Sequence, residues 1–224
     1  MFIGHYGIAF GLKKFDQTIS LGLLFLAVQF VDILWTIFVF FGIERVEIVP
    51  GITKANPLNF VYYPFTHSLI ATLFWGAIAY LVFRFLIKRK LSANNKTAII
   101  IAAAVLSHFV LDLLAHRPDL PVFTNDSFKM GLGLWNYVLI SYFIETLIFA
   151  AGLWKYYQIT DGKTFGAKYG MLIFAVILVI FNTINLIGPP PPDINMLAIF
   201  GLTNYLILAA VAFWLDKKRV AINN

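Results

Sequence analysis

Cysteine is absent from the 224 residues, which removes disulfides, thiolate metal ligands and cysteine nucleophiles together. Charge is scarce too: Asp, Glu, Lys and Arg make up 12% of the chain, against 60% hydrophobic residues. A water-facing domain carries about 25% charged residues, and half that amount cannot coat a globule of this size. Gly 15 and Pro 9 are modest counts, and no heptad repeat runs through the chain. Collagen-like, disordered and coiled-coil classes are excluded with them. The composition is that of a membrane protein.

What is there is a series of long uncharged stretches. Helices are expected near 19–42, 65–87, 97–115, 134–154, 168–187 and 196–215, each close to the roughly 20 residues a crossing requires. Gly188 to Asp193 holds four consecutive prolines and must be a rigid surface connection between the last two. Residues 2–12 are apolar but too short to cross, which predicts a short half-buried helix, with Gly7 and Gly11 as a face for close helix packing. No small-residue cleavage site follows, so the first span is expected to stay in place as an anchor.

The net charge of +6 does not point to nucleic acid, because the basic residues sit at the ends of apolar runs and form no stripe. Assigned to alternate sides of six spans, the 17 Lys and Arg divide as 13 against 4. The positive-inside rule then places both termini in the cytoplasm. All nine prolines fall in the three connections on the other side, together with Phe60, Tyr62, Tyr63 and Phe123. A structured outer cap is expected there.

Ionisable side chains inside a bilayer are costly unless they face protein, water or a partner. Asp32 lies in the first span, His108 and Asp112 in the third, and Glu145 in the fourth. His67 opens the second span, and His116 ends the third. Counting about 1.5 Å per residue from the basic ends puts Glu145 at ~15 Å, His108 at ~18 Å, Asp112 at ~24 Å and Asp32 at roughly 22–27 Å. His108 and Asp112 are four apart and project from one helix face. An imidazole nitrogen and a carboxylate oxygen so placed can share a metal ion, and Asp32 and His67 would complete a nitrogen and oxygen ligand set suited to zinc. Glu145 and Asp112 are the expected catalytic residues, with Glu145 as the general base.

Ordered fragments add to this. Gly4-His5-Tyr6-Gly7, Val31-Asp32, Thr66-His67-Ser68-Leu69 and Leu106-Ser107-His108-Phe109-Val110-Leu111-Asp112 resemble the membrane-bound metal-dependent hydrolase family. These are bacterial inner-membrane hydrolases, distantly related to zinc-dependent phospholipase C. The resemblance covers residues 1–123 and implies His5, Asp32, His67, His108 and Asp112 as metal ligands. The chain departs from the family at Val31-Asp32-Ile33-Leu34, which has one carboxylate where two are usual. It departs again at Tyr62-Tyr63-Pro64-Phe65-Thr66-His67, which lacks a first imidazole; a site short of two ligands is expected either to hold one metal instead of a cluster or to have lost the chemistry and kept only structure. Counted from Lys13, His5 stands at ~12 Å, about 10 Å below Asp32, and it ranks last among the five.

The expected architecture is all-α: a polytopic transmembrane helix bundle of six spans plus the short N-terminal helix. It forms one integral membrane domain over 1–224, with the candidate site in 1–123 and additional helices in 130–224. The expected function is metal-dependent hydrolysis of an amphiphilic ester or phosphoester in the bacterial inner membrane, with membrane lipids as partners and a divalent metal, zinc favoured, as cofactor. A proton-coupled transporter using Asp32, Asp112 and Glu145 as a relay, or a non-catalytic membrane scaffold with a degenerate metal site, are the alternatives.

Overall fold

The computed structural model describes residues 1–87 and 95–222; Lys88, Arg89 and Lys90, counted above toward orientation, lie outside them. Among the described residues there are eight α-helices: α1 Ile3–Leu12, α2 Leu21–Val28, α3 Phe30–Phe40, α4 Leu69–Leu81, α5 Asn95–Ala115, α6 Val138–Ile159, α7 Phe165–Ile187 and α8 Ile194–Asp216. α4 runs on into a π-helical turn, Val82–Leu86. Among the described residues five helical segments are long and apolar enough to cross a membrane, or six if the bent pair α2–α3 is counted as one span. The chain is a multi-pass helical membrane protein. Outward-facing side chains such as Leu139 and Ile187, 83% and 76% exposed, fit a lipid-facing surface.

Helix starts follow local capping chemistry. Ser20, Ser68, Thr164 and Asp193 each turn a side-chain oxygen onto a backbone N–H three residues on, satisfying a donor the helix cannot. α1 has no side-chain cap of its own. The cap comes from another helix, because Glu145 Oε2 on α6 accepts from the Phe2 N–H at 3.0 Å.

The first span is not one straight rod. It breaks at Gln29, and α3 leaves α2 at 55°. There is no Pro or Gly at the break, and Gln29, the polar residue there, has its side chain buried. The N-terminal helix forms as expected but sits deeper than half-buried, with seven of its ten residues buried. Gly7 lets α1 approach α6 until backbones touch: a Cβ there would meet Ile148 and Phe149, and one on Gly152 would strike the Gly7 carbonyl. Gly11 faces open space, so only half of the expected small-residue face is used.

Two anchors hold the ends. At one, Lys13 Nζ pairs with Asp216 Oδ2 at 2.7 Å, and Tyr156 Oη and the Leu21 N–H donate to the same carboxylate at 2.9 Å. This ties α1, α2, α6 and α8 together. At the other, the proline-bearing connections form an ordered cap. β1 Arg45–Ile48 pairs antiparallel with β2 Leu58–Tyr62, and β3 Leu120–Pro121 with β4 Lys129–Met130. Trp35, Val46, Phe60, Tyr63, Phe109 and Leu120 pack beneath them. A third short pair, β5 Thr160–Asp161 with β6 Val220–Ala221, closes the opposite end.

Candidate metal centre

All four histidines of the chain meet in one place, against Asp32 and Asp112. Around Asp32 Oδ1 stand His67 Nε2 at 3.3 Å and His108 Nε2 at 3.5 Å. Around Asp112 Oδ2 stand His108 Nε2 at 3.0 Å, His67 Nε2 at 3.8 Å and His116 Nε2 at 3.9 Å. Asp112 Oδ1 faces His5 Nε2 at 3.4 Å and the Met1 amino group at 2.8 Å. Ligands about 2.0–2.1 Å from a tetrahedral ion stand about 3.3 Å apart. The donors present have that spacing, and two triads, His5/His108/Asp112 and Asp32/His67/His108, could each hold an ion.

The outer nitrogens of the rings fix where the inner ones point. His108 Nδ1 lies 2.8 Å from the Val28 carbonyl, which can only accept, so this nitrogen carries the proton. His116 Nδ1 donates likewise to Asp119 Oδ1 at 3.0 Å. His67 uses a relay: the Thr66 hydroxyl donates to Glu44 Oε2 at 2.6 Å and so accepts from His67 Nδ1 at 2.8 Å. Three rings thus turn an Nε2 lone pair inward, onto carboxylate oxygens. This is how metal-ligating histidines are oriented, through an acceptor on the far nitrogen.

The Thr66-His67-Ser68 triplet therefore does three jobs. Thr66 orients the ring, His67 offers it, and Ser68 caps α4. Glu44, ahead of β1, also accepts from the Phe65 and Thr66 N–H groups. Burial raises its carboxyl above the ordinary range, a push that these donors only partly offset. Burial pushes Asp119 upward too, but donation from His116, Arg117 and Tyr63 outweighs it and holds the carboxyl below the ordinary value.

The charge balance supports the donor chemistry. Among the described residues no lysine or arginine side chain pairs with Asp32, Asp112 or Glu145, and the Met1 amino group beside Asp112 is one positive charge against three carboxylates, of which Asp112 and Glu145 are buried. Carboxylates at such depth require a compensating cation. His108 Nε2 and both ring nitrogens of His5 have no hydrogen-bond partner of acceptable geometry. Donor identity, spacing and orientation all fit a divalent cation.

Each residue named from sequence is accounted for. Asp32, His67, His108 and Asp112 come together. His5 joins them, contrary to its low rank: its ring stacks on His108 at 4.1 Å, tilted by 7°. The height count ran the helical rise on from the basic residues, but α2 begins only at Leu21, which shares the Asp216 carboxylate with Lys13, and a 55° bend just before Asp32 lowers it further, so the gap closes. Glu145 takes the helix-capping position at α1 and lines the same cavity as Asp32, His67, Asp112 and His116. Sequence reasoning gave no role to His116 or to Tyr205, whose hydroxyl donates to Asp32 Oδ2 at 3.2 Å. Tyr205 lies on α8, so the site is not confined to residues 1–123. The cavity over the cluster, about 390 Å³, reaches α7 and the proline connection. Compared with family models, with curated proteins and with solved structures, the chain finds no match in any of the three.

Proposed function

We propose that the chain is a membrane-embedded, metal-dependent hydrolase acting on an amphiphilic ester or phosphoester. The observation that carries this is the shared orientation of His67, His108 and His116, each with Nδ1 held by an acceptor and Nε2 turned onto a carboxylate. Asp32, His67, His108 and Asp112 would hold the ion, and His5 and His116 stand within reach of the same Asp112. A divalent cation bound there, zinc favoured, supplies Lewis-acid polarisation and a lowered pKa for water.

The chain's own residues supply the rest. Tyr205 fixes Asp32, and Val28, Thr66 and Asp119 fix the imidazole rings. Asp112 presents one oxygen to His5 and the other to the three remaining histidines. Glu145 lines the same cavity, which supports its assignment as the group that accepts a proton from the attacking water. The order of motifs supports kinship with the membrane-bound metal-dependent hydrolases, and the distribution of Lys and Arg supports cytoplasmic termini in a bacterial inner membrane.

The test is elemental analysis of protein purified in detergent without added chelator. About one equivalent of zinc is expected in the parent and none in His108→Ala. A metal-free parent whose hydrolysis of ester and phosphoester lipids no added divalent ion restores would overturn the proposal. Substrate-driven flux into liposomes without product would select the transporter instead.

A further inference from the structure

The cavity has polar groups on helices that carry no histidine. Ser141 on α6 and Asn182 on α7 both line it. They are 2% and 7% exposed, yet neither side chain hydrogen-bonds to any other described residue. A serine inside a helix usually turns its hydroxyl back onto the preceding turn, and Ser141 does not. With no partner in the protein, both polar groups are left to whatever occupies the cavity they line.

Their placement is shared. Ser141 precedes Glu145 by one turn of α6, about 6 Å along the axis. Its neighbour Tyr142 bonds through its hydroxyl to Thr183, the neighbour of Asn182, at 2.9 Å. That clasp sets Ser141 and Asn182 at one level, where α6 and α7 meet. The cavity lining continues past them to Asn185, Leu186 and Gly188 on the outer flank of α7. Ile184 and Ile187 there are 56% and 76% exposed, an apolar surface from which a lipid could enter sideways.

We infer that Ser141 and Asn182 form a subsite for the hydroxylated headgroup of a membrane phospholipid, of the glycerol-bearing kind, whose phosphoester then reaches the metal centre. This rests on the hydrolase reading for its substrate, though not for its geometry. A serine hydroxyl and a carboxamide offer donors and acceptors and no charge, and glycerol hydroxyls answer both. A choline headgroup brings a charge and no hydrogen-bond donor.

Native mass spectrometry of the full chain in detergent tests this, with phosphatidylglycerol, phosphatidylethanolamine and phosphatidylcholine of identical acyl chains as probes and zinc measured on the same samples. The parent should retain phosphatidylglycerol at least about tenfold more tightly than phosphatidylcholine. Ser141→Ala and Asn182→Leu should each remove most of that preference while zinc content stays unchanged. Ser141→Ala deletes one oxygen, so its result does not hinge on folding. Equal retention of the lipids by the parent, or an undiminished preference in both variants, overturns the subsite. Zinc present without lipid preference fails the subsite alone. Lipid preference without zinc fails the metal reading and leaves the subsite standing.

Discussion

His108 and Asp112 face each other at 3.0 Å, Nε2 to Oδ2, while the far nitrogen of the same ring lies 2.8 Å from the Val28 carbonyl. With one proton committed to Val28, the ring has only a lone pair to set against the carboxylate. Two electron-rich atoms in a buried site need a cation between them or a second proton on the ring. Binding a divalent ion should therefore release protons, because any imidazolium present must give one up. Isothermal titration with zinc in two buffers of different ionisation enthalpy should report that release, and His108→Ala should abolish binding. Heats that do not depend on the buffer would contradict the linkage.

The relay behind His67 makes a sharper claim. Thr66 gives its proton to Glu44 and takes one from His67, so Thr66→Val keeps the volume but removes the acceptor that fixes the ring. Loss of such a supporting contact lowers metal affinity by about 10–100-fold. Thr66→Ser keeps the hydroxyl and should bind zinc within a fewfold of the parent. Competition against a chelating dye measures both, and equal affinities for the Val and Ser variants would remove Thr66 from the site.

How far the sequence shows this site depends on what each relation needs. The spans were legible because uncharged runs of crossing length leave little choice. His108 and Asp112 were legible because four residues return a helix to the same face. Ser68 was readable as part of a motif, although its capping role needed the start of α4. Tyr205 donating to Asp32 across 173 positions leaves no trace in spacing. His116 could be read only as the end of the third expected span, and there Asp119 accepts from both its ring and Arg117. That same contact turns its other nitrogen inward, which only the folded chain reveals. The break at Gln29 had one signal, an amide within an apolar run, and the turn that sets Lys13 level with Leu21 had none, which is why His5 ranked last in the set.

Asp16 gives a pH signature at the other end of the molecule, outside the spans. Burial pushes its carboxyl upward, but donation from Thr18 and Thr97, at 2.6 Å from each hydroxyl, outweighs it and holds the group below the ordinary value. A carboxyl depressed in the folded state adds stability above its unfolded pKa of about 3.9 and loses it as pH falls through the folded value. Asp16→Asn should therefore melt lower than the parent at pH 7 and pH 5, and the two curves should converge below about pH 4. Thermal unfolding in a pH-stable detergent checks this, and a gap that widens in acid would reverse the sign.

The contact between Gly7 and Gly152 decides whether α1 can deliver His5 at all. A methyl group on Gly152 would occupy the space of the Gly7 carbonyl, and backbone cannot move aside by changing rotamer. α1 must instead lift from α6, drawing His5 off its stack on His108 and loosening the Glu145 cap. Overpacking of this kind costs about 1–3 kcal/mol, so Gly152→Ala should lower the melting temperature and weaken zinc binding together. Gly11 on the same helix has open space where a methyl group would stand, with nothing within 4 Å, and alanine is favoured over glycine in a helix by about 1 kcal/mol. Gly11→Ala should thus melt at or above the parent with zinc affinity intact. If both variants behave alike, the close approach of α1 to α6 is not what holds His5 in the site.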